Sequence, residues 1–350
     1  DADADPDVDA DADPDVDADE GECSPGDAFC AGDALHLCEA GRWTMAETCD
    51  LGCSAALGRC LLVAPSNVPP ELLDLGAEHV VITSSATVDT DACDPADLGS
   101  PLVHAEVVSV GGGPDLCVMV VASLLVADGA RVGAYGSRGL VLLSQGDVTI
   151  RGGLYAGSPG PAEPGPGGGA GGGADGSGDS GSCGGRPGEA DFAGFYYNSG
   201  GGGGGHSGQG GDGGDTTSLS LGGRGGDPTG ERTLVPLAGG WAAGRGSSAP
   251  APAAARRGGG AAGALQITSA ADLSIDATAL VVGGGGGGER GGLVSGGGGG
   301  GAGGGILLEG ITVTIAGAVA ANGGGGGSGS GFDLGEDGAS GTFDDSRAAG

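Results

Sequence analysis

Short apolar segments, separated by Gly, Asp or Ser turns, recur along the chain from residue 78 onwards. Runs of this length and composition, bounded by turn residues, predict β-strands. The first candidates are Val80–Thr83, Val107–Val110, Cys117–Val121, Leu124–Val126 and Val132–Tyr135. No run of about 18 apolar residues occurs, so the sequence predicts no segment that spans a membrane.

Three later segments, 139–157, 264–283 and 305–323, align with one another. Each contains three short strand-like runs separated by small-residue turns. A unit of about nineteen residues repeated in this way predicts one turn of a three-sided parallel β-solenoid, in which alternate residues point inward and stack between turns. The residues expected to face inward are Leu140, Leu142, Val148, Ile150, Leu265, Ile267, Leu273, Ile275, Val313 and Ile315.

The predicted fold is therefore all-β: a parallel β-solenoid over residues 78–330 with glycine-rich insertions at 157–262 and 283–304. A β-sandwich is the competing interpretation, but it would need hairpin turns and no self-similar unit. A second alternative treats the glycine-rich tracts as disordered sequence. A glycine-rich acidic tail, 331–350, follows the predicted solenoid.

Glycine supplies 88 of the 350 residues, and aromatic residues only 3%. A conventional core would need more large side chains to offset the entropy of ordering so much glycine. Polyglycine runs occupy 200–205, 283–288, 296–301 and 323–327. They can pack as bundled extended helices with three residues per turn, or remain flexible. The packed form resembles the glycine-rich tips of some viral adhesins and small glycine-rich antifreeze proteins.

The first sixty residues differ from the rest of the chain. Residues 1–20 repeat the unit DADADPDV and are predicted to be an extended, solvated linker. This segment resembles the stalk of bacterial surface lipoproteins, which implies a lipid anchor upstream of residue 1. Residues 21–60 form a cysteine-rich module, and residues 61–77, with three prolines, a connector.

Six cysteines in the module predict a disulfide framework, because about forty residues cannot build a sufficient core without cross-links. These are Cys23, Cys30, Cys38, Cys49, Cys53 and Cys60. Zinc binding is the weaker alternative, since no CxxC pair is present, and the pairing among six cysteines stays open. Cys93 and Cys117 are natural partners for one more disulfide, which leaves Cys183 unassigned.

The cysteine spacing, the Gly41-Arg42-Trp43 turn and the Cys49…Gly52-Cys53 pair resemble short cysteine-rich modules near the N-termini of exported myxobacterial proteins. This resemblance, with the acidic stalk and the glycine-rich repeats, implies a surface protein or lipoprotein of the myxobacterial type. It implies that the chain is secreted or displayed on the outer cell surface.

The formal net charge is −33, with 13 basic residues in all. A surface this acidic argues against binding nucleic acid, which needs a basic face, and against docking on anionic lipid. It suits a well-solvated surface that attracts cations.

Two glycine-rich stretches, 210–218 and 222–230, resemble the calcium-binding nonapeptide of secreted repeat toxins. Their calcium candidates are Asp212, Asp215 and Asp227. The large apolar residue of that motif is replaced by Thr217 and Thr229, so calcium binding is the less favoured interpretation of these stretches. No other cofactor is expected.

Catalytic signals are sparse. The GDSGS at 178–182 matches a serine-protease motif by chance in so glycine-rich a chain. Enzymes on β-helices use clustered acidic residues with Arg or Lys on one face. The residues available for this role are Arg138, Asp147, Arg151, Asp272 and Asp276. One aromatic cluster anchors an insertion or forms a contact patch: Phe192, Phe195, Tyr196 and Tyr197.

The sequence thus favours a non-catalytic structural or adhesion protein that contacts extracellular matrix, a surface polysaccharide or another cell surface. The alternatives are a polysaccharide lyase or hydrolase on a β-helix and a calcium-stabilised extracellular repeat protein.

Overall fold

A computed structural model describes residues 23–76, 78–101, 103–109, 111–161, 163–172, 184–191, 197–216, 221–248, 255–292, 295–329, 335–342 and 348–350. The chain divides into two compact units, residues 1–61 and 62–350. Regular structure in the described residues is almost entirely β, with two short 3₁₀ helices, Pro70–Leu75 and Pro95–Leu98. The prediction of a nearly all-β chain is confirmed.

The first unit is a small antiparallel sheet cross-linked by disulfides. Three strands pair in chain order, β1 (Ala28–Ala31), β2 (Ala34–Glu39) and β3 (Arg42–Thr48), and a short pair follows, β4 (Cys53–Ser54) and β5 (Arg59–Cys60). The predicted disulfide framework is confirmed, and its pairs are Cys23–Cys38, Cys30–Cys53 and Cys49–Cys60. The cross-links compensate for a core too small to hold forty residues.

The described part of the second unit contains three five-stranded sheets and one short extra pair. Sheet 1 contains β6 (His79–Ile82), β10 (Ser123–Val126), β13 (Val148–Ile150), β18 (Asp272–Ile275) and β21 (Thr312–Ile315). Sheet 2 contains β7 (Ala86–Asp89), β11 (Arg131–Tyr135), β14 (Gly153–Tyr155), β19 (Leu280–Val282) and β22 (Ala318–Ala320). Sheet 3 contains β8 (His104–Val108), β9 (Leu116–Val121), β12 (Gly139–Ser144), β17 (Ala264–Ser269) and β20 (Gly305–Glu309). The extra pair is β15 (Ala190–Asp191) and β16 (Tyr197–Asn198).

Apart from the extra pair β15 and β16, consecutive strands from β9 onwards visit sheet 3, then sheet 1, then sheet 2, and the cycle repeats. Neighbours within each sheet are parallel, except that β8 pairs antiparallel with β9. The register matches the repeat in the sequence: Leu140 pairs with Leu265, and Leu265 with Ile306. Strands β9 to β11 therefore form a repeat that precedes the three aligned segments, and β6 and β7 pair in parallel with β10 and β11 before it.

The side chains on one face of each of the three sheets pack together and form the main core. It includes Leu140, Leu142, Val148, Ile150, Leu265, Ile267, Leu273 and Ile275. Val313 and Ile315 were expected in the same core and are in register with Leu273 and Ile275. They are nevertheless 38% and 51% exposed, because β21 is the edge of sheet 1 and no further strand of the described residues covers it.

Both faces of the three central strands of sheet 3 are buried. Every residue of β9, β12 and β17 is buried, although only alternate residues point into the main core. The 3₁₀ helix Pro70–Leu75 packs on β9 and β12, with Leu73 fully buried. The segment predicted as a connector thus covers the outer face of the sheet, where Val118 and Leu143 lie.

The glycine-rich segments between the strands are hydrogen-bonded to one another through their backbones. The amides of Gly201 and Gly204 donate to the carbonyls of Gly297 and Gly300, and those of Gly223 and Gly226 donate to Gly200 and Gly203. Along each segment, the residues that form these hydrogen bonds are three positions apart. This is the repeat of an extended helix with three residues per turn. Backbone groups therefore find partners without forming a sheet.

The packing of these segments leaves no room for side chains at their centre. A Cβ atom at Gly299 would overlap the carbonyl oxygen of Gly202, and one at Gly301 that of Gly260. Peripheral segments carry other residues at every third position, as Gln209, Asp212 and Asp215 do. Glycine is required where a segment is surrounded, because any side chain would separate the hydrogen-bonded backbones.

Candidate functional site

A groove of about 600 Å³ lies where strands β11, β14 and β19 of sheet 2 begin. Arg131, Gly153 and Leu280 occupy one row across these strands. The ring of Tyr155 lies directly over Gly153, where any Cβ would collide with it. Asp128, Arg151 and Thr278 come from the adjoining turns. The groove thus has an aromatic ring beside two guanidinium groups.

The charges of this groove are only partly paired. Arg151 Nε lies 3.2 Å from Asp276 Oδ2, and both side chains are about half exposed. The side chain of Arg131 is exposed and makes no ion pair or hydrogen bond to any other described residue. A guanidinium group suits a carboxylate or sulfate, and an aromatic face suits a sugar ring. This arrangement can hold an anionic saccharide.

The other predicted enzyme residues do not join this groove. Arg138 Nη1 donates to the carbonyls of Thr90 and Asp91, and so fixes the loop after β7. Asp147 Oδ1 accepts from the amide of Asp272 at 3.3 Å, which joins two successive turns. Arg151 is the one of the five that lines the groove, and it pairs with Asp276, so the five residues do not form one catalytic cluster.

The calcium candidates bind groups of the protein itself. Asp215 Oδ1 accepts from the amide of Gly222 at 2.6 Å, and Asp212 Oδ1 from that of Gly225 at 2.8 Å. Asp227 Oδ1 lies 3.0 Å from Arg224 Nη2. The Gly-Gly-x pattern that resembled a calcium repeat thus places these residues on two neighbouring extended segments. No group of three or more His, Cys, Asp or Glu side chains suited to a metal ion occurs in the described residues.

Several predicted residues lie outside the described part of the chain. They are Phe192, Phe195, Tyr196, Cys183 and the GDSGS at 178–182. Tyr197 belongs to β16, whose backbone pairs with Asp191. The predicted Cys93–Cys117 disulfide is present and lies in the main core.

A buried polar cluster on the outer face of sheet 3 was missed by sequence reasoning. Gln266 Nε2 donates to Glu309 Oε2 at 2.9 Å, as does Thr268 Oγ1 at 2.6 Å. The side chain of Asn67 bonds Gln266 Oε1, the carbonyl of Leu234 and the amide of Leu237. The available signal was the change from Val141 and Leu143 to Gln266 and Thr268 at aligned positions.

Three groups among the described residues have shifted pKa values. Burial lowers the pKa of His206. Hydrogen bonds from the Ser137 hydroxyl and amide lower the pKa of Asp91, and the nearby negative charge of Asp89 raises the pKa of Tyr135. Asp91 and Tyr135 are on the surface beside β7 and β11, and neither lines the Arg131 groove.

The chain has no counterpart in three comparisons: no protein-family profile, curated protein or solved structure matches it. No helix among the described residues has the length and apolar character needed to cross a membrane.

Proposed function

We propose that the three parallel sheets are the walls of a β-solenoid. The order of the strands supports this, because each repeat contributes one strand to each sheet before the next repeat begins. The single core shared by all three sheets supports it too. In such a fold each repeat contacts only its neighbours, which makes an extended scaffold.

On this scaffold we infer a non-catalytic structural or adhesion protein, secreted or displayed on the outer cell surface. The observation that carries this function is the glycine packing, in which surrounded segments such as 296–301 are joined through their backbones alone. Segment 296–301 carries no side chain and so offers no nucleophile, acid or base, and its backbone hydrogen bonds hold it in place. Its task is mechanical: to hold a stiff surface towards matrix, polysaccharide or another cell.

The disulfides fit this location. All eight cysteines of the described residues are paired, and such pairs persist in oxidising compartments. The acidic segment 1–20 and its resemblance to lipoprotein stalks support display at a distance from a membrane, held by a lipid anchor upstream.

The experiment tests whether the protein binds a surface or polysaccharide without cleaving it. The full chain is immobilised and exposed to matrix components, whole cells and neutral and acidic polysaccharides, while released oligosaccharides and new reducing or unsaturated ends are measured. The proposal predicts retention of at least one of these surfaces and no new chain ends. Retention of none would contradict adhesion, and new chain ends would contradict the absence of catalysis.

A polysaccharide lyase or hydrolase is the second candidate, favoured by the groove around Tyr155, Arg131 and Arg151. This candidate predicts that the product assay is positive and that Arg131→Ala together with Arg151→Ala abolishes it. Arg232→Ala, an exposed Arg outside the groove, is the matched control.

A calcium-stabilised repeat protein would instead show a large fall in melting temperature with EDTA.

A further inference from the structure

A second groove, of about 630 Å³, runs along the glycine-rich segments and is lined almost entirely by glycine. Its floor is formed by segments 200–204 and 297–304, one wall by 207–214 and the other by 323–327. Apart from alanines, the side chains among its lining residues are those of His206, Ser207, Gln209 and Asp212. The floor carries no side chain larger than the methyl group of Ala302, so the recognition groups along the floor are backbone amides and carbonyls.

Segment 295–304 has five hydrogen-bonded neighbours around it. Groups spaced three residues apart form one row along the segment. Two rows of its amides donate hydrogen bonds to segments 241–247 and 283–289, and three rows of its carbonyls accept hydrogen bonds from 201–204, 259–262 and 324–327. A helix with three residues per turn has three amide rows and three carbonyl rows. Within the described residues, one direction of the six therefore remains without a neighbour.

The remaining amide row is Gly297, Gly300 and Gly303. None of these three amides donates to an atom of the described residues, although their neighbours at 298, 299, 301 and 302 all do. The carbonyls of Gly201 and Gly204, also at the groove, likewise accept no hydrogen bond within the described residues. The groove thus presents donors and acceptors at a spacing of three residues, the pattern that joins the other segments.

The walls provide an independent observation. A Cβ atom at Gly211 or Gly214 would meet nothing within 4 Å, and one at Gly326 would make only ordinary contacts, the nearest at 3.5 Å from the carbonyl of Gly298. None of the three has a positive φ. Neither space nor backbone conformation within this chain requires glycine here. Glycine is required at these positions only if another polypeptide backbone packs against them as closely as the internal segments pack against one another.

We propose that this groove binds an extended glycine-rich strand of another polypeptide. The strand takes the conformation with three residues per turn, accepts hydrogen bonds from Gly297, Gly300 and Gly303, and donates to Gly201 and Gly204. From 297 to 303 the floor spans about 19 Å at roughly 3.1 Å per residue. The best ligand repeats Gly-Gly-x, since two residues of each triplet face the groove and the third faces solvent, as in segment 208–215. Strand addition to an existing array is a known mode of peptide recognition.

A second copy of this chain is the less suitable source. The described glycine-rich segments are already bonded within the array, so a copy would have to unpack one to lend it. The net charge of −33 also opposes self-association. The occupant is therefore a neutral or basic glycine-rich segment of a different protein. This inference deepens the proposed adhesive function and rests on it.

The test titrates the full chain into a fluorescently labelled, end-blocked (Gly-Gly-Ser)₅ peptide and follows anisotropy. (Ala-Ala-Ser)₅ is the control peptide, because its methyl groups hold the backbones apart. We expect saturable binding of the first peptide only. Gly326→Leu and, separately, Gly211→Leu fill the groove and should weaken binding at least tenfold. Gly329→Leu, whose Cβ is also unobstructed but lies outside the groove, should leave binding unchanged.

Three results would overturn the inference: no binding of (Gly-Gly-Ser)₅, equal binding of both peptides, or equal binding by the groove variants and wild type. Dimer formation without peptide that Gly326→Leu abolishes would overturn it as well, by assigning the groove to a second copy. The test is independent of polysaccharide retention and turnover, so failure here leaves the proposed function to be judged by its own assay.

Discussion

The amide of Gly299 donates to the carbonyl of Gly244 at 3.0 Å, joining two segments fifty-five residues apart in sequence. On another side of Gly299, a Cβ atom would overlap the carbonyl oxygen of Gly202. One residue thus holds three segments together by having no side chain. The array is stabilised by backbone hydrogen bonds and by the close approach that glycine permits.

Replacing Gly299 by Ala should destabilise the second unit. The methyl group must displace a backbone carbonyl, and overpacking of this kind costs about 1–3 kcal/mol. Gly211→Ala is the matched control, because its Cβ meets nothing, and it should leave stability unchanged or raise it by up to about 1 kcal/mol. Thermal and urea unfolding measure both. Equal stability of the two variants would refute the packing of segment 296–301.

Removing the Cys93–Cys117 disulfide should also weaken the second unit. It connects residues 24 apart in the sequence, and disulfides closing such loops contribute about 2–4 kcal/mol. The double variant Cys93→Ser/Cys117→Ser avoids leaving one free thiol. Its unfolding midpoint should fall to that of the reduced wild-type second unit. A midpoint equal to that of the oxidised wild type would show that the pair does not form.

The Asn67 side chain should be needed to hold the 62–76 segment on sheet 3. In Asn67→Ala, the amide of Leu237 and the carboxamide of Gln266 lose a partner. Each buried polar group left unpaired costs about 1–3 kcal/mol. Gln209→Ala, which truncates an exposed amide, is the control. If Asn67→Ala loses no more stability than Gln209→Ala does, the result would contradict the buried polar cluster.

His206 should make stability depend on pH. Burial lowers its pKa in the folded chain below the 6.5 of an exposed His, so the unfolded chain binds the proton more tightly. The stability that the neutral, buried His206 contributes is complete above about pH 6.5 and is lost as the pH falls towards the folded-state pKa. His206→Gln should remove this dependence. The difference in melting temperature between wild type and variant, measured from pH 7.5 to pH 5, should therefore change with pH. A constant difference would contradict the burial of His206.

The sequence was most informative where side chains repeat. The alignment of Leu140, Leu265 and Ile306 predicted their register across sheet 3, because inward residues of successive repeats must stack. It could not show that Ile315 lies at an exposed edge, since an end repeat has the same pattern as an internal one. The six module cysteines predicted disulfides but not their pairing, which depends on how β1 to β5 fold together.

The glycine tracts carried the least information. Packed and flexible polyglycine have the same sequence, and the choice depends on hydrogen bonds between residues as distant as Gly204 and Gly300. For a related reason, the sequence could not distinguish a calcium-binding role of Asp212 and Asp215 from a structural one. The spacing of three that places polar residues on one side of an extended segment also produces a partial calcium motif. The buried Gln266 required knowing that residues 62–76 cover a second face of the sheet.

Hydrogen exchange measured by mass spectrometry on the intact, oxidised chain tests the central claim most directly. Backbone bonding of the glycine segments predicts that amides in 199–206 and 295–304 exchange far more slowly than in the same peptides free in solution, where glycine amides are open to water. The three groove amides, Gly297, Gly300 and Gly303, should be the fast sites within 295–304. Exchange of both segments at the rate of the free peptides would contradict the packed array.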